Sequence, residues 1–180
     1  MTKKLDKLLM QLVHLHPKYI DLDLDRLLLL LKKLGNPHLN LPPVIHIAGT
    51  NGKGSTLSFI RHILMENKFY VHSYTSPHLK KFNERIIIKN KEIKTNKLIE
   101  VLINIKKINR NQPITFFEIT TAAAFYLFAK EKADFLILET GLGGRLDATN
   151  VIQKSLIDII THIGIDHQDF LGKSILKITN

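Results

Sequence analysis

The 180-residue chain has no cysteine and no tryptophan. The first absence excludes a disulfide framework, a thiolate zinc site and a cysteine nucleophile together, and it fits a reducing compartment. Long apolar runs are also missing. The longest leucine run, Leu27 to Leu31, falls far short of the ~20 apolar residues that span a bilayer. The charged start Met1-Thr2-Lys3-Lys4-Leu5-Asp6-Lys7 leads into an amphipathic stretch, without the apolar core or small-residue cleavage site of a signal peptide. A cytoplasmic protein with no membrane partner is the expectation.

Arginine is scarce, with 5 residues against 21 lysines. The net charge of +10 raises nucleic acid as a partner, but base readers lean on the bidentate fork of arginine. Lysine here accompanies 24 isoleucines and 12 asparagines, a broad compositional drift. A solvated lysine surface, with no nucleic acid, is the expected meaning of the charge. The 44% hydrophobic and 23% charged residues belong to an ordinary globular protein, and 180 residues suffice for one domain with a core of its own.

The hydrophobic pattern alternates strands with helices. Residues 5–15 and 24–34 read as helices, the second stopped by Gly35-Asn36-Pro37, with an irregular connection over 16–23. Apolar runs at 44–48, 70–75, 134–139 and 156–162 read as buried strands, and helices are expected over 95–109 and 116–130. The last residues, from Phe170, open a further helical pattern that stops without a cap. This is an α/β chain with a mostly parallel sheet flanked by helices. In such sheets ligands bind beyond the carboxyl ends of the strands, so the chemistry belongs just after each strand.

Gly49-Thr50-Asn51-Gly52-Lys53-Gly54-Ser55 lies between the first strand and its helix. Glycines let successive N–H groups converge on an anion, the helix start adds its positive end, and Lys53 supplies a point charge. The pattern departs from the standard Walker A, because Ile47 stands where its first glycine belongs and Gly54 directly follows Lys53. Glu139 ends an apolar strand, where a carboxylate is costly to bury unless paired or bound to metal. Ser76, fixed by Pro77, follows another strand, and Gly141-Leu142-Gly143-Gly144-Arg145 lets main chain approach a ligand. Residues 78–107 carry nine basic against three acidic residues, a net of +6, whereas 134–169 carry two against six, a net of −4, as a metal-binding region would.

His46 to Ser55 resembles the ATP loop of the Mur ligase superfamily in the form found in folylpolyglutamate synthases and bifunctional dihydrofolate synthases. Further blocks match in order: Thr75-Ser76-Pro77-His78-Leu79, Thr115-Phe116-Phe117-Glu118, Glu139 to Asn150, and Ile163-Gly164-Ile165-Asp166-His167 with Phe170-Leu171-Gly172. The resemblance implies a P-loop-type ATPase domain, incomplete here, with residues 1–180 as its ATP-binding part and a glutamate-ligase domain beyond. It implies ATP and Mg2+ as cofactors, and L-glutamate with dihydropteroate or folate as partners of a monomeric full-length enzyme.

By the same resemblance, Thr50, Asn51, Gly52, Lys53, Gly54 and Ser55 bind ATP, while Ser76, Glu139 and His167 hold the metal. Asp21, Leu22, Asp23, Thr115, Phe116, Phe117, Glu118, Leu146, Asp147 and Ala148 contact the pterin, and Lys53, Glu139 and His167 carry the chemistry. Without it, His167 reads as a hydrogen-bonded histidine, since magnesium prefers oxygen, Phe116 and Phe117 read as core, and Glu118 reads as a helix-start acid. The implied reaction is phosphorylation of a carboxylate by ATP, followed by attack of the glutamate amine; 180 residues alone are expected to lack it. The alternatives are a Mur-type ligase of cell-wall precursors, or a non-enzymatic basic nucleotide- or nucleic-acid-binding domain.

Overall fold

In the computed structural model, residues 2–179 are described. They form helices α1 (Thr2–Val13), α2 (Asp25–Lys33), α3 (Lys53–Glu66), α4 (Thr95–Asn109), α5 (Phe116–Phe128), α6 (Gln168–Leu171) and α7 (Ile175–Thr179). The strands are β1 (Val44–Ala48), β2 (Val71–Tyr74), β3 (Ile86–Ile88), β4 (Lys91–Glu92), β5 (Phe135–Glu139) and β6 (Ile157–Ile160). They make one sheet in the order β4-β3-β2-β5-β1-β6, in which β2, β5, β1 and β6 run parallel.

Alternation along the strands divides the core into two layers. Val44, Leu136 and Leu138 face a large cluster built with Leu27, Leu31, Leu98, Leu102 and Phe125 of the helices. Ile45, Ile47 and Ile137 point the other way and meet Leu57 of α3. Period-two side chains that are apolar on both faces are what a covered parallel sheet requires. Helix α5 starts with a reciprocal cap, in which Thr115 Oγ1 accepts the Glu118 amide at 3.3 Å and Glu118 Oε2 accepts the Thr115 amide at 2.6 Å. Helix α2 is closed by Gly35 and Asn36, both at positive φ.

The sheet is mostly parallel, as expected, and the structure adds to or corrects the expected elements at three points. The sheet gains an antiparallel edge, because Ile86–Ile88 and Lys91–Glu92 form a hairpin against β2. Its turn residues Lys89 and Asn90 have φ of +47° and +67°, the conformation that two-residue hairpins favour, reached here without the glycine that announces it. β6 is an edge strand among the described residues, with Ile160 70% exposed, where its isoleucines suggested burial. The terminal helical pattern is two short helices, parted at Gly172 with φ of +100°.

Candidate functional site

The carboxyl ends of β1, β2, β5 and β6 deliver four loops to one edge of the sheet. After β1, Gly49 and Gly52 take φ of +133° and +88°. A side chain at Gly49 would collide with Thr161, so glycine there permits the close approach of the loop to the end of β6. The loop is stitched to that neighbour: the Thr50 and Asn51 amides donate to the His162 carbonyl at 2.9 and 3.2 Å, and the Gly164 amide donates to Thr50 Oγ1 at 2.9 Å. The Lys53 ammonium donates to the Gly49 carbonyl at 2.7 Å. Among the described residues no side chain caps the start of α3, so its first amides are open to an anion.

Two cavities open at this edge. The first, about 420 Å³, is lined by Asp21, Leu22, Asp23, Thr115, Phe116, Phe117, Glu118, Leu146, Asp147 and Ala148, all ten of the residues that the resemblance assigns to the pterin. The second, about 480 Å³, is lined by Thr50 and Lys53 of the six residues that the resemblance assigns to ATP; Asn51, Gly52, Gly54 and Ser55 are exposed outside it. Ser76, Pro77, Gly141, Leu142 and His167 line both cavities and form their junction.

At the junction, buried Glu139 accepts the Ser76 amide at 3.3 Å. Burial raises its carboxyl above the ordinary range, and the Ser76 amide, Lys53 and Arg85 pull against that rise. A side chain on Gly54 would lie 3.6 Å from Glu139 Oε2, so glycine keeps the space before the carboxylate clear. A cation there would relieve the desolvated carboxylate, which is how this donor set fits a divalent metal. Among the described residues no three His, Cys, Asp or Glu side chains cluster as a ready-made metal site; the proposed set has two, with the Ser76 hydroxyl as the third donor. His167 sits at φ of +48°, and its amide donates to Asp166 Oδ1 at 2.7 Å.

The polar residues of the first cavity are largely engaged by the protein. Asp147, 2% exposed, accepts the Gly141 and Leu142 amides at 2.9 and 2.8 Å through Oδ2, and the Thr149 amide and hydroxyl at 2.9 and 2.6 Å through Oδ1. The Thr149 hydroxyl also meets His46 Nε2 at 2.8 Å. Since that hydroxyl donates to Asp147, it accepts from His46, which fixes the tautomer. Glu118 is a helix-start acid and more: its Oε1 accepts from Arg26 at 3.1 Å. Phe117 stacks on Tyr74 and Phe116 meets Phe82 edge-on, so both aromatics serve the core and the cavity wall at once.

Sequence reasoning passed over Arg26 and gave Arg85, His46 and Thr149 no role of their own, since they appear there only within longer stretches. Arg26 ties Asp21 at 2.9 Å, Asp23 at 3.1 Å and Glu118 at 3.1 Å. The scarcity of arginine was the available signal, because a guanidinium in a lysine-rich chain marks a place where a planar fork is needed.

The Mur ligase middle domain model matches residues 47–179. The dihydrofolate synthase/folylpolyglutamate synthase of Haemophilus influenzae is 43% identical over 171 residues, which cover 95% of this chain and 38% of that protein. The chain thus spans about two fifths of the length of such relatives. The structure of Escherichia coli FolC in complex with DHPP and ADP superposes with a TM-score of 0.90 at 38% identity, covering 97% of this chain and 42% of that one. A bifunctional folylpolyglutamate synthase/dihydrofolate synthase with Mn, AMPPNP and L-glutamate bound gives 0.86 at 36% identity, with coverage of 97% and 42%. The carboxyl-edge glycine loop, the two joined cavities and these matches lead to one conclusion: the chain belongs to the Mur ligase family, as a middle domain of the kind found in dihydrofolate and folylpolyglutamate synthases.

Proposed function

We propose that this chain is the ATP-binding domain of an amide ligase that adds L-glutamate to dihydropteroate, folate or both. The carrying observation is the junction: a cavity with aromatic walls and a phosphate-loop cavity meet at Ser76, Gly141, Leu142 and His167. A substrate whose carboxylate reaches that junction from the first cavity faces the terminal phosphate of ATP in the second. The relatives with ADP and DHPP, and with AMPPNP, Mn and L-glutamate, support both assignments.

The reaction proceeds in two displacements. A carboxylate oxygen of the pterin substrate attacks the γ-phosphorus, the bond to the bridging oxygen breaks, and ADP departs. The glutamate amine then attacks the acyl carbon, and phosphate leaves with the former carboxylate oxygen. Lys53 and the open amides of α3 bind the β/γ end and hold it in line. Glu139, Ser76 and His167 would hold magnesium, which neutralises charge on the transferring phosphoryl group when bound. Phe116 and Phe117 offer flat faces to the pterin, while Asp147 fixes the Gly141–Leu142 amides that separate the two compartments. Ion pairs from Lys81, Lys89 and Lys97 to Glu92, Glu131 and Glu100 support a solvated lysine surface over a nucleic-acid face.

Lys53→Ala in the full-length protein tests this reading. ATP-dependent glutamate addition to dihydropteroate, monitored through the ADP it produces, is expected to fall by at least a factor of about 10³ while folding is retained. Unchanged turnover would remove Lys53 from the site.

A further inference from the structure

The first cavity carries one cation that no carboxylate of the described residues pairs directly, although its charge is felt by Glu139 at the junction. Its acidic lining is engaged, Asp21, Asp23 and Glu118 by Arg26 and Asp147 by loop amides. Among the described residues, Arg85 is the only lysine or arginine that lines it. Arg85 closes the short helical turn Phe82–Arg85 and is 7% exposed. Its Nε donates to His78 Nδ1 at 3.0 Å, and its guanidinium carbon lies 5.1 Å from the Phe82 ring centre and 6.0 Å from that of Phe116. Among the described residues no carboxylate stands within ion-pairing distance of it.

A guanidinium has five N–H donors in a planar fork, and the His78 contact takes one. Buried charges in proteins are ordinarily paired; the rings of Phe82 and Phe116 offer attraction but no hydrogen-bond acceptor. Arg85 lines a cavity that also contains Ser76 and His167 of the junction. A planar anion is the ligand that such a fork matches best.

We propose that Arg85 binds the carboxylate of the substrate in the first cavity and presents it to the junction. The proposal rests on the pterin-carboxylate reading of that cavity. It supplies what the reading otherwise lacks, a cation on the substrate side to offset the repulsion between a carboxylate and the terminal phosphate it must attack.

The test compares two ligands on the full-length protein without ATP: dihydropteroate, and its decarboxylated analogue with hydrogen in place of the carboxyl group. Wild-type protein is expected to prefer dihydropteroate. Arg85→Gln should weaken dihydropteroate binding on the order of tenfold to a hundredfold, the worth of charge-assisted hydrogen bonds, and leave the analogue and ADP unaffected. Arg85→Lys should recover only part of the loss, because an ammonium lacks the fork. Equal weakening of both ligands would make Arg85 a prop between Phe82 and Phe116 and overturn the proposal, as would no weakening of either. Wild-type protein that binds both ligands equally also overturns it, whether or not the variants fold. Wild-type protein that binds neither pterin removes the reading of the cavity, and the role of Arg85 with it.

Discussion

Arg26 and Glu118, 92 positions apart in the chain, are joined by a 3.1 Å hydrogen bond from Nη2 to Oε1 beside the wall of the first cavity. Through the same guanidinium, Asp21 and Asp23 of the irregular connection after α1 are fixed against α5. The Arg26 side chain is 19% exposed and that of Glu118 only 4%. Removing the cation therefore strands a buried carboxylate. Arg26→Met is expected to cost about 3 kcal/mol of stability, near the lower end for a broken buried pair because Arg26 keeps some solvent contact. The double variant Arg26→Met/Glu118→Leu should recover part of it. Denaturant unfolding of the full-length protein checks both, and a double variant less stable than the single one would contradict this account.

Gly141 is held against the first cavity by sterics. A methyl group there would lie 2.6 and 2.7 Å from ring atoms of Phe117 and 3.2 Å from Asp147 Oδ2. Its φ is not positive, so alanine strains the packing and not the backbone. Gly141→Ala should cost about 1–3 kcal/mol, the range for an overpacked site. It should also push Phe117 off the Tyr74 ring and weaken dihydropteroate binding more than ADP binding. Adding Phe117→Leu should restore stability but not pterin affinity; ligand titrations with thermal unfolding separate the two effects.

His72 makes stability depend on pH. It is buried, stacks on Phe128 with ring centres 5.0 Å apart, donates from Nε2 to the Glu131 carbonyl at 2.9 Å and accepts the Lys89 amide at Nδ1 at 3.0 Å. A proton on Nδ1 would set donor against donor. Burial lowers the folded-state pKa below the ordinary 6.5, and Lys89 acts in the same sense against the opposing Glu131. The unfolded chain therefore binds the proton more readily. The stability from neutral His72 is fully present above about pH 6.5 and is lost as the pH falls through the depressed folded value. The slope due to this one group is at most about 1.4 kcal/mol per pH unit. His72→Phe should flatten part of the acid limb in unfolding measurements between pH 7 and pH 5, with His46, also lowered by burial, supplying a remainder.

Local signals account for much of the architecture. Continuous apolar runs marked β1 and β5, the helical pattern from Phe116 marked α5, and the glycines around Lys53 marked the loop proposed to hold phosphate. Each rests on residues a few positions apart. The β3–β4 hairpin escaped notice because Lys89 and Asn90 adopt positive φ without a glycine between them. Exposure of β6 escaped notice because the composition of a strand does not say which strand lies at an edge.

The sequence by itself determined the alternation of strands and helices, the loops that follow each strand, and the residue types able to hold phosphate and metal, since these follow from periodicity and short-range backbone preference. Only the tertiary structure decided which charges are already satisfied. Glu118 and Asp147 look alike along the chain as single acids between apolar neighbours, yet one is paired with Arg26 and the other with the amides of its own loop. Arg85 looks like one more cation in a basic stretch, yet it is buried beside Phe82, and among the described residues no carboxylate comes within ion-pairing distance of it. The cost of burying a charge depends on what surrounds it in three dimensions, and the folding of the chain, not its local pattern, settles those surroundings.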